Sequence, residues 1–325
     1  MNAFSYVRPT SEAEALRALA EPGAVALAGG TTLVDLMRLD VMRPARVVDL
    51  GGLPLDRIDA KSGGISIGAL ASNTAVADHP EIRARFPVLA EAIDAGASGQ
   101  IRNMASVGGN LLQRTRCSYF RDLASPCNKR SPGAGCAAFD GYTRNHAVVG
   151  GSPNCIAVHP SDMCVALLAL DAVVRIKSAS GERTIPMSEL HVVPDRPNVE
   201  TSLRPGELIT AVELRDAPFA KRSRYVKVRD RASFAFALAS AAVALDVEGT
   251  TINAARVALG GVATKPWREQ RVEQALVGKR PTQQMFDAAA KLALADAVPR
   301  PDNAFKVALA RRVIARALAL AGGVS

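Results

Sequence analysis

At 325 residues and 48% hydrophobic residues, the chain has enough apolar material for one large globular domain or for two to three ordinary ones. The net charge of +9 comes from scattered Lys and Arg, and aromatic residues make up only 4%, so we expect no nucleic-acid partner. No apolar run approaches the roughly 18 residues of a membrane-spanning helix, and we expect no membrane insertion.

The N-terminal segment predicts a small parallel βαβ element. Ser11 and Glu14 have the spacing of a capping box at the start of a helix through EALRALAE. The apolar run 24–28 predicts a buried strand, the following LVDLMRL has helical spacing, and residues 45–50 predict the next strand. This order of strand, glycine turn, helix and strand is typical of two parallel strands joined by a crossover.

The rest of the chain predicts an α+β protein in two parts. Strands are expected in 64–70, AVVRIKS and RTIPM, and helices in PVLAEAIDAGA and HPSDMCVALLAL. From about Leu214 the pattern changes to long antiparallel strands, SRYVKVRDRASFAFALASAAVALDV and INAARVALGGVA joined at EGT, and then to helices that include NAFKVALARRVIARALAL. We therefore expect a first domain over 1–215 and a second over 216–325.

Two glycine turns share one design. LAGGTTL (27–33) and SVGGNLL (106–112) each place paired glycines after an apolar segment, with a small hydroxyl or amide residue beside them. Glycines let the backbone approach a ligand and direct N–H groups inward, which suits a pyrophosphate. Neither turn has the phosphate-loop or GxGxxG fingerprint, so the ligand is expected on a different fold. A tight turn without a ligand is the alternative for each.

The segment RTRCSYFRDLASPCNKRSPGAGC (114–136) holds three of the five cysteines and little that could fill a core. Cys117, Cys127, Cys136 and Cys155 are separated by gaps of 9, 8 and 18 residues. These gaps match neither zinc knuckles nor ferredoxins. The odd number of cysteines favours metal or cluster ligation over disulfides. A multi-thiolate centre would stabilise a segment with so little apolar area. Buried, inert cysteines are the alternative, which suits Cys164 in its apolar helix best.

Four segments together resemble the FAD-binding subunit of the xanthine dehydrogenase family of molybdenum hydroxylases. They are AGGTTL (28–33), IRNMASVGGNL (101–111), HPSDM (159–163) and YVKVRDRASFAFA (225–237). The likeness spans nearly the whole chain. It is especially similar to the flavoprotein subunit of bacterial periplasmic aldehyde oxidoreductases, which carries an extra [4Fe–4S] cluster, as does that of 4-hydroxybenzoyl-CoA reductase.

The resemblance implies a vanillyl-alcohol-oxidase-type FAD-binding domain with an iron–sulfur insertion at about 113–156, followed by a CO-dehydrogenase-flavoprotein-like domain of antiparallel sheet and helices. It implies that FAD is bound by Leu27, Ala28, Gly29, Gly30, Thr31, Thr32, Leu33, Ser106, Gly109, Asn110, Asp162 and Lys227. Ser106 stands where the family usually has Thr, which keeps the hydroxyl. The implied ligands of the [4Fe–4S] cluster are Cys117, Cys127, Cys136 and Cys155.

The implied function is that of an electron-transfer subunit in a heterotrimer that oxidises an aldehyde to a carboxylic acid. Electrons would pass from molybdopterin on a large subunit, through [2Fe–2S] clusters on a small subunit, to FAD and an external acceptor. No catalytic side chain is expected, because the flavin carries the chemistry. His146 and His159 are expected on the surface or in loops.

Two alternative functions stay open. The first is the flavoprotein of a 4-hydroxybenzoyl-CoA-reductase-like enzyme, in which electrons run from flavin to molybdenum. The second is a zinc-bound basic nucleic-acid-binding protein. The start MNAFSYV has no export-signal pattern. The resemblance therefore implies a periplasmic location by co-export with a partner that bears a twin-arginine signal, or a cytoplasmic one if the partner lacks it.

Overall fold

The computed structural model describes residues 1–324, and its N-terminal segment forms a small parallel α/β unit. Three strands form a sheet in the order β1-β3-β2, and two helices connect them: β1 (Ser5–Val7), α1 (Glu12–Leu19), β2 (Ala24–Leu27), α2 (Leu33–Arg38) and β3 (Arg46–Asp49). Ser11 caps α1, because its side chain accepts a hydrogen bond from the Glu14 amide at 3.3 Å. The predicted βαβ element is confirmed, but β2 is only partly buried.

A five-stranded antiparallel sheet follows, in the order β4-β5-β8-β6-β7. Its strands are β4 (Ile58–Lys61), β5 (Gly64–Gly68), β6 (Val173–Ser178), β7 (Gly181–Pro186) and β8 (Leu208–Arg215). The pairing of β5 with β8 places Gly64 opposite Arg215. Residues 69–207 therefore form a long insertion between two neighbouring strands of this sheet.

Short helices fill the space beside this sheet. They are α3 (Asn73–Asp78), α4 (Pro80–Arg85), α5 (Pro87–Asp94), α6 (Gly99–Met104), α7 (Val107–Leu111), α8 (Ser118–Arg121), α9 (Asp162–Ala169) and α10 (Met187–Leu190). Every residue of α9 is buried, which explains why its sequence DMCVALLA is apolar on all sides after the first residue. Ser161 caps α9 through a hydrogen bond from the Cys164 amide at 3.1 Å.

The C-terminal part is a four-stranded antiparallel sheet in the order β12-β11-β10-β9, packed against helices. Its elements are β9 (Ser223–Val228), β10 (Ala239–Glu248), β11 (Thr251–Gly260), β12 (Trp267–Arg268), α11 (Gln270–Leu276), α12 (Gln283–Ala290) and α13 (Phe305–Gly322). In β10, Val243 packs into the core shared with the helices, and Ala242 and Ala244 pack into the core of the N-terminal part. The small residues of β10 therefore let both parts of the molecule pack on one sheet.

One expected strand is a loop. The sequence predicts continuous strand from Ser223 to Val247, whereas β9 ends at Val228 and β10 begins at Ala239. Phe234 within this segment, which we call the 229–238 loop, has a φ of +51°, a left-handed conformation incompatible with a strand. No helix within residues 1–324 combines the length and the apolar character that crossing a bilayer requires.

Candidate functional site

A cavity of about 720 Å³ lies between the glycine turns and the 229–238 loop. This volume is typical of ligand and cofactor sites. The start of α9 contributes another part of the wall. The polar lining residues include Thr31, Thr32, Asp35, Asn73, Arg102, Asn110, Gln113, Arg116, Asp162, Asp230 and Arg231.

The first glycine turn, residues 27–33, has backbone donors to offer at this cavity. Gly30 has a φ of +70°, which favours glycine, and Thr31 and Thr32 line the cavity. Among residues 1–324, no group accepts a hydrogen bond from the amides of Gly30, Thr31, Thr32 or Leu33. Unpaired amides in a concave turn are the arrangement that binds anions such as phosphate.

The remaining residues of this turn hold it in place. Leu27 ends β2, and its carbonyl accepts a hydrogen bond from the Leu50 amide at 2.8 Å. A Cβ on Gly29 would lie 1.7 Å from the Met104 carbonyl oxygen, so only glycine lets the backbones of residues 29 and 104 approach this closely. Ala28 links the strand to the turn. The first turn is therefore fixed against the segment that precedes the second turn.

The second glycine turn, residues 106–112, uses its amides within the protein. Ser106 caps α7, and its hydroxyl oxygen accepts a hydrogen bond from the Gly109 amide at 3.2 Å. The amides of Val107 and Gly108 donate to carbonyl oxygens of the segment after β5 at 3.0 and 2.8 Å. The sequence predicts inward-facing donors here, but these three amides already have acceptors. Gly109 and Asn110 nevertheless line the cavity.

Asp162 is connected to this second turn and lies in the cavity wall. The Asn110 side-chain oxygen accepts a hydrogen bond from the hydroxyl of Ser161 at 2.5 Å, and Ser161 caps the helix that Asp162 begins. The Asp162 carboxylate accepts from Lys227 Nζ at 2.7 Å and from the Tyr225 hydroxyl at 2.5 Å. Burial, and then the charge of Asp162, raises the pKa of Tyr225 well above its ordinary value, so Tyr225 remains a donor.

Lys227 is placed behind Asp162. Its side chain is 3% exposed, and its ammonium donates to Asp162 and to the Ala95 carbonyl, the latter at 3.0 Å. Lys227 therefore does not line the cavity itself, but it forms an ion pair with Asp162, which does. A buried charge pair of this kind is costly to break, because removal of one partner leaves the other charge uncompensated.

Sequence reasoning missed a pair of charges in the cavity wall. Asp35, on α2, accepts hydrogen bonds from Arg116 at 2.9 Å and from Arg121 at 2.9 and 3.0 Å. The one signal in the sequence is an acidic residue inside the otherwise apolar LVDLM. These contacts join the cysteine-bearing segment to the first glycine turn.

Four of the five cysteines lie near one another. Each of the four sulfurs is near enough to at least two of the others for their charges to interact, and two of these residues pair in an isolated antiparallel bridge. All are free thiols in the structure: Cys117, Cys127, Cys136 and Cys155. Cys117 also lines a second cavity of about 250 Å³, which shares Asp162 with the first.

The surroundings of these sulfurs suit ligands of a positively charged centre. Burial raises the pKa of Cys117 to about 11, and neighbouring thiols raise it further, while the amides of residues 119 and 120 act in the opposite direction. Burial likewise raises the pKa of Cys136 and of Cys155. The Ala157 amide donates to Cys155 Sγ at 3.4 Å. Buried or half-buried sulfurs that would repel one another as thiolates lose their protons together only when a metal ion replaces those protons.

The cysteine-bearing segment is better anchored than its sequence indicates. Phe120 is fully buried, and it packs with Cys127 against Leu36 of α2. Glu200 forms ion pairs with Arg114 at 2.9 Å and with Lys129 at 2.7 Å. The basic residues of the segment therefore form ties within the chain, and an aromatic side chain gives the segment a small core of its own.

The histidine predictions need correction for His146. Both His146 and His159 lie in loops, as expected, but His146 is only 4% exposed, and it contacts the cysteine segment. Burial, followed by the charges of Lys306 and Arg300, lowers the pKa of His146 to about 4, so its ring is neutral. The C-terminal part buries this residue, and the sequence around it gives no sign of that.

The fifth cysteine lies elsewhere. Cys164 is fully buried in α9, and its sulfur lies within 4.8 Å of ring nitrogens of His159 and His191. His191 Nε2 is 2.8 Å from the Leu111 carbonyl oxygen, which requires a proton on that nitrogen. Burial raises the pKa of Cys164 to about 12, which favours the thiol. These groups are therefore part of the packed core.

Comparison with known families identifies the class of protein. The family model for the FAD binding domain in molybdopterin dehydrogenase matches residues 2–215, and the model for the CO dehydrogenase flavoprotein C-terminal domain matches residues 224–321. The chain belongs to the family of FAD-binding medium subunits of molybdenum hydroxylases, which are oxidoreductases. The predicted family and the predicted fold, a vanillyl-alcohol-oxidase-type FAD-binding domain followed by a CO-dehydrogenase-flavoprotein-like domain, are confirmed.

Particular relatives match along almost their full length. The chain is 49% identical to the aldehyde oxidoreductase FAD-binding subunit PaoB of Escherichia coli K12, over 98% of each chain. It is 29% identical to the glyceraldehyde dehydrogenase medium chain of Sulfolobus acidocaldarius, over 85% of this chain and 82% of that one. Among solved structures, quinoline 2-oxidoreductase from Pseudomonas putida 86 is similar with a TM-score of 0.77 and 25% identity, over 99% of this chain and 98% of that one.

Proposed function

We propose that this protein is the FAD-binding, electron-transferring subunit of a molybdenum-dependent aldehyde oxidoreductase that converts aldehydes to carboxylic acids. The observation that carries the proposal is the 49% identity, over 98% of both chains, to a subunit named for that activity. The bound flavin would accept electrons singly and deliver them to an external acceptor. This chain supplies the binding site, the shape of the cavity and the charges around it.

The residues that line the cavity suit FAD, and different residues would bind different parts of the cofactor. The free amides of Gly30, Thr31, Thr32 and Leu33 are the donors that a pyrophosphate requires. Asp162 faces the same cavity and can accept hydrogen bonds from hydroxyl groups of the cofactor's sugar-alcohol chain. The other predicted FAD residues would shape the site, and Lys227 would position the Asp162 side chain through their ion pair.

We further propose a [4Fe–4S] cluster held by Cys117, Cys127, Cys136 and Cys155. Four neighbouring cysteines, two of them buried and two half-buried, amide donors to their sulfurs and the absence of disulfides among residues 1–324 support this ligand set. The position of Cys117 on a cavity that shares Asp162 with the FAD site supports a cluster close to the flavin.

The implied partners are a small subunit with two [2Fe–2S] clusters and a large molybdopterin subunit, with electrons passing from molybdenum through those clusters to FAD. A periplasmic location would follow from co-export with a partner that bears a twin-arginine signal. Family membership leaves the zinc-bound nucleic-acid-binding alternative without support.

The test is co-purification of the tagged chain with its partners, followed by flavin, iron and acid-labile sulfide analysis. The protein should show flavin absorbance and a broad iron–sulfur shoulder. Cys127→Ser should remove the iron that this chain holds and keep the flavin, whereas the matched control Cys164→Ala should keep both. Absence of flavin bands would overturn the proposal, and equal iron in both variants would overturn the cluster.

The substrate is tested on the assembled complex. Benzaldehyde should be oxidised with an artificial electron acceptor, and the rate should depend on bound FAD. If the complex instead reduces 4-hydroxybenzoyl-CoA with a low-potential donor and leaves benzaldehyde unchanged, the direction of electron flow is the reverse of the one proposed here.

A further inference from the structure

His146 makes a contact that the proposed function does not use. Its ring Nε2 lies 3.2 Å from Cys117 Sγ, and the residue is 4% exposed. The other sulfur–donor contacts around the cysteines come from backbone amides, such as that of Ala157 to Cys155. Among residues 1–324, this imidazole is the side-chain nitrogen that contacts a sulfur of the four-cysteine group.

The contacts of the ring assign the position of its proton. His146 Nδ1 is buried and has no hydrogen-bond partner within residues 1–324. Nδ1 therefore lacks a partner whether or not it carries a proton, and the contact at Nε2 decides the tautomer. A cysteine sulfur bound to a metal can only accept a hydrogen bond. His146 Nε2 therefore carries a proton, and that N–H points to Cys117.

The C-terminal part of the molecule fixes the backbone from which this ring extends. The His146 carbonyl oxygen accepts hydrogen bonds from Lys306 Nζ at 3.2 Å and from Asn303 Nδ2 at 3.3 Å. Both of these residues are at most 1% exposed, and the His146 amide donates to the Thr143 carbonyl at 2.8 Å. The donor is therefore held before any electron arrives, so it needs little reorganisation.

We propose that His146 is a positioning residue that donates its Nε2–H to the Cys117 sulfur and thereby raises the reduction potential of the cluster. This inference rests on the proposed [4Fe–4S] cluster. Reduction adds one electron and one negative charge to the cluster and its sulfurs, and a fixed N–H donor stabilises the reduced state more than the oxidised state. The proton stays on His146 throughout, and no bond is made or broken.

The test compares two variants in the assembled complex by redox titration followed with electron paramagnetic resonance. His146→Leu removes the donor, and we expect its cluster to be about tenfold harder to reduce, which is about 59 mV for a one-electron couple. His146→Gln keeps an N–H of similar reach and should recover most of that change. The midpoint of FAD in the same samples is the internal control and should stay at the wild-type value.

A cluster potential that is the same in wild type and His146→Leu would overturn the inference, as would an equal change in Leu and Gln variants. A third measurement, on wild-type complex with ¹⁵N-labelled histidine, remains decisive if His146→Leu fails to assemble. A weak ¹⁵N coupling to the reduced cluster supports the hydrogen bond, and a coupling of direct-ligand strength or none overturns it. Wild-type protein without iron at this site would instead remove the proposed cluster itself.

Discussion

Residues 27–33 and residues 106–112 share paired glycines and a small polar neighbour, yet the structure pairs their backbone amides in opposite ways. In the first turn, four successive amides from Gly30 to Leu33 lack acceptors among residues 1–324. In the second turn, the amides of Val107, Gly108 and Gly109 all have acceptors. The same pattern of residues therefore produces one turn with free amides and one turn whose amides are paired within the protein.

The difference comes from what surrounds each turn. The second turn is wrapped by the segment after β5, whose carbonyls accept two of its amides, and it carries its own cap in Ser106. The first turn leaves β2 toward the cavity. Every backbone N–H needs an acceptor or water. A turn whose amides already have acceptors within the protein has no free N–H group left to bind a phosphate. It acts instead through the side chain of Asn110, which positions the helix that begins at Asp162.

The largest expected effect concerns Asp162, which begins the helix that the second turn positions. Lys227→Met leaves the Asp162 carboxylate buried without its cation. Breaking a buried pair in this way should lower the free energy of unfolding by about 3–5 kcal/mol, and the protein should lose FAD. Urea unfolding and the ratio of flavin to protein measure both effects.

The control for this substitution removes both charges together. Asp162→Asn combined with Lys227→Met should recover much of the lost stability, because no uncompensated charge remains. It should not recover FAD binding, because the carboxylate is gone. A double variant as unstable as the sum of the two single variants would show that the pair does not couple.

Sequence reasoning succeeds where structure is local. The helix cap at Ser11, the βαβ order and the turn at Gly249 all depend on residues within a few positions of one another. It fails where a contact joins distant residues. Asp35 and Arg116 are 81 positions apart, and the His146 carbonyl accepts a hydrogen bond from Lys306, which is 160 positions away. No local pattern encodes such contacts.

The 229–238 loop shows the same limit in another form. Its alternating SFAFA is typical of a strand, yet Phe234 and Phe236 are 52% and 47% exposed, and both line the cavity. Alternation predicts a strand only when a neighbouring strand is available to pair with it. The predicted domain division at residue 215 depends on patterns of the same kind and stays a prediction.

A smaller effect should separate the two turns by sterics alone. Gly29→Ala places a Cβ against the Met104 carbonyl, and either the turn or that segment must move. We expect a loss of about 1–3 kcal/mol of stability together with loss of FAD, because the free amides shift. In Gly109→Ala the new Cβ meets only the Ser106 hydroxyl, at 3.0 Å. That variant should stay within about 1 kcal/mol of wild type. Equal losses in flavin titrations of the two variants would contradict the distinction between the turns.

The smallest expected effect concerns the hydroxyl of Ser106, which the family resemblance assigns to FAD and the structure assigns to the cap of α7. Ser106→Ala removes the acceptor of the Gly109 amide and should cost about 1 kcal/mol of stability. The affinity for FAD, measured by fluorescence titration of the folded apoprotein, should stay within about twofold of wild type. Ser106→Thr keeps the hydroxyl and should restore the stability. A tenfold weaker affinity in the alanine variant, with stability unchanged, would instead place this hydroxyl on the cofactor, and the second turn would then bind FAD directly.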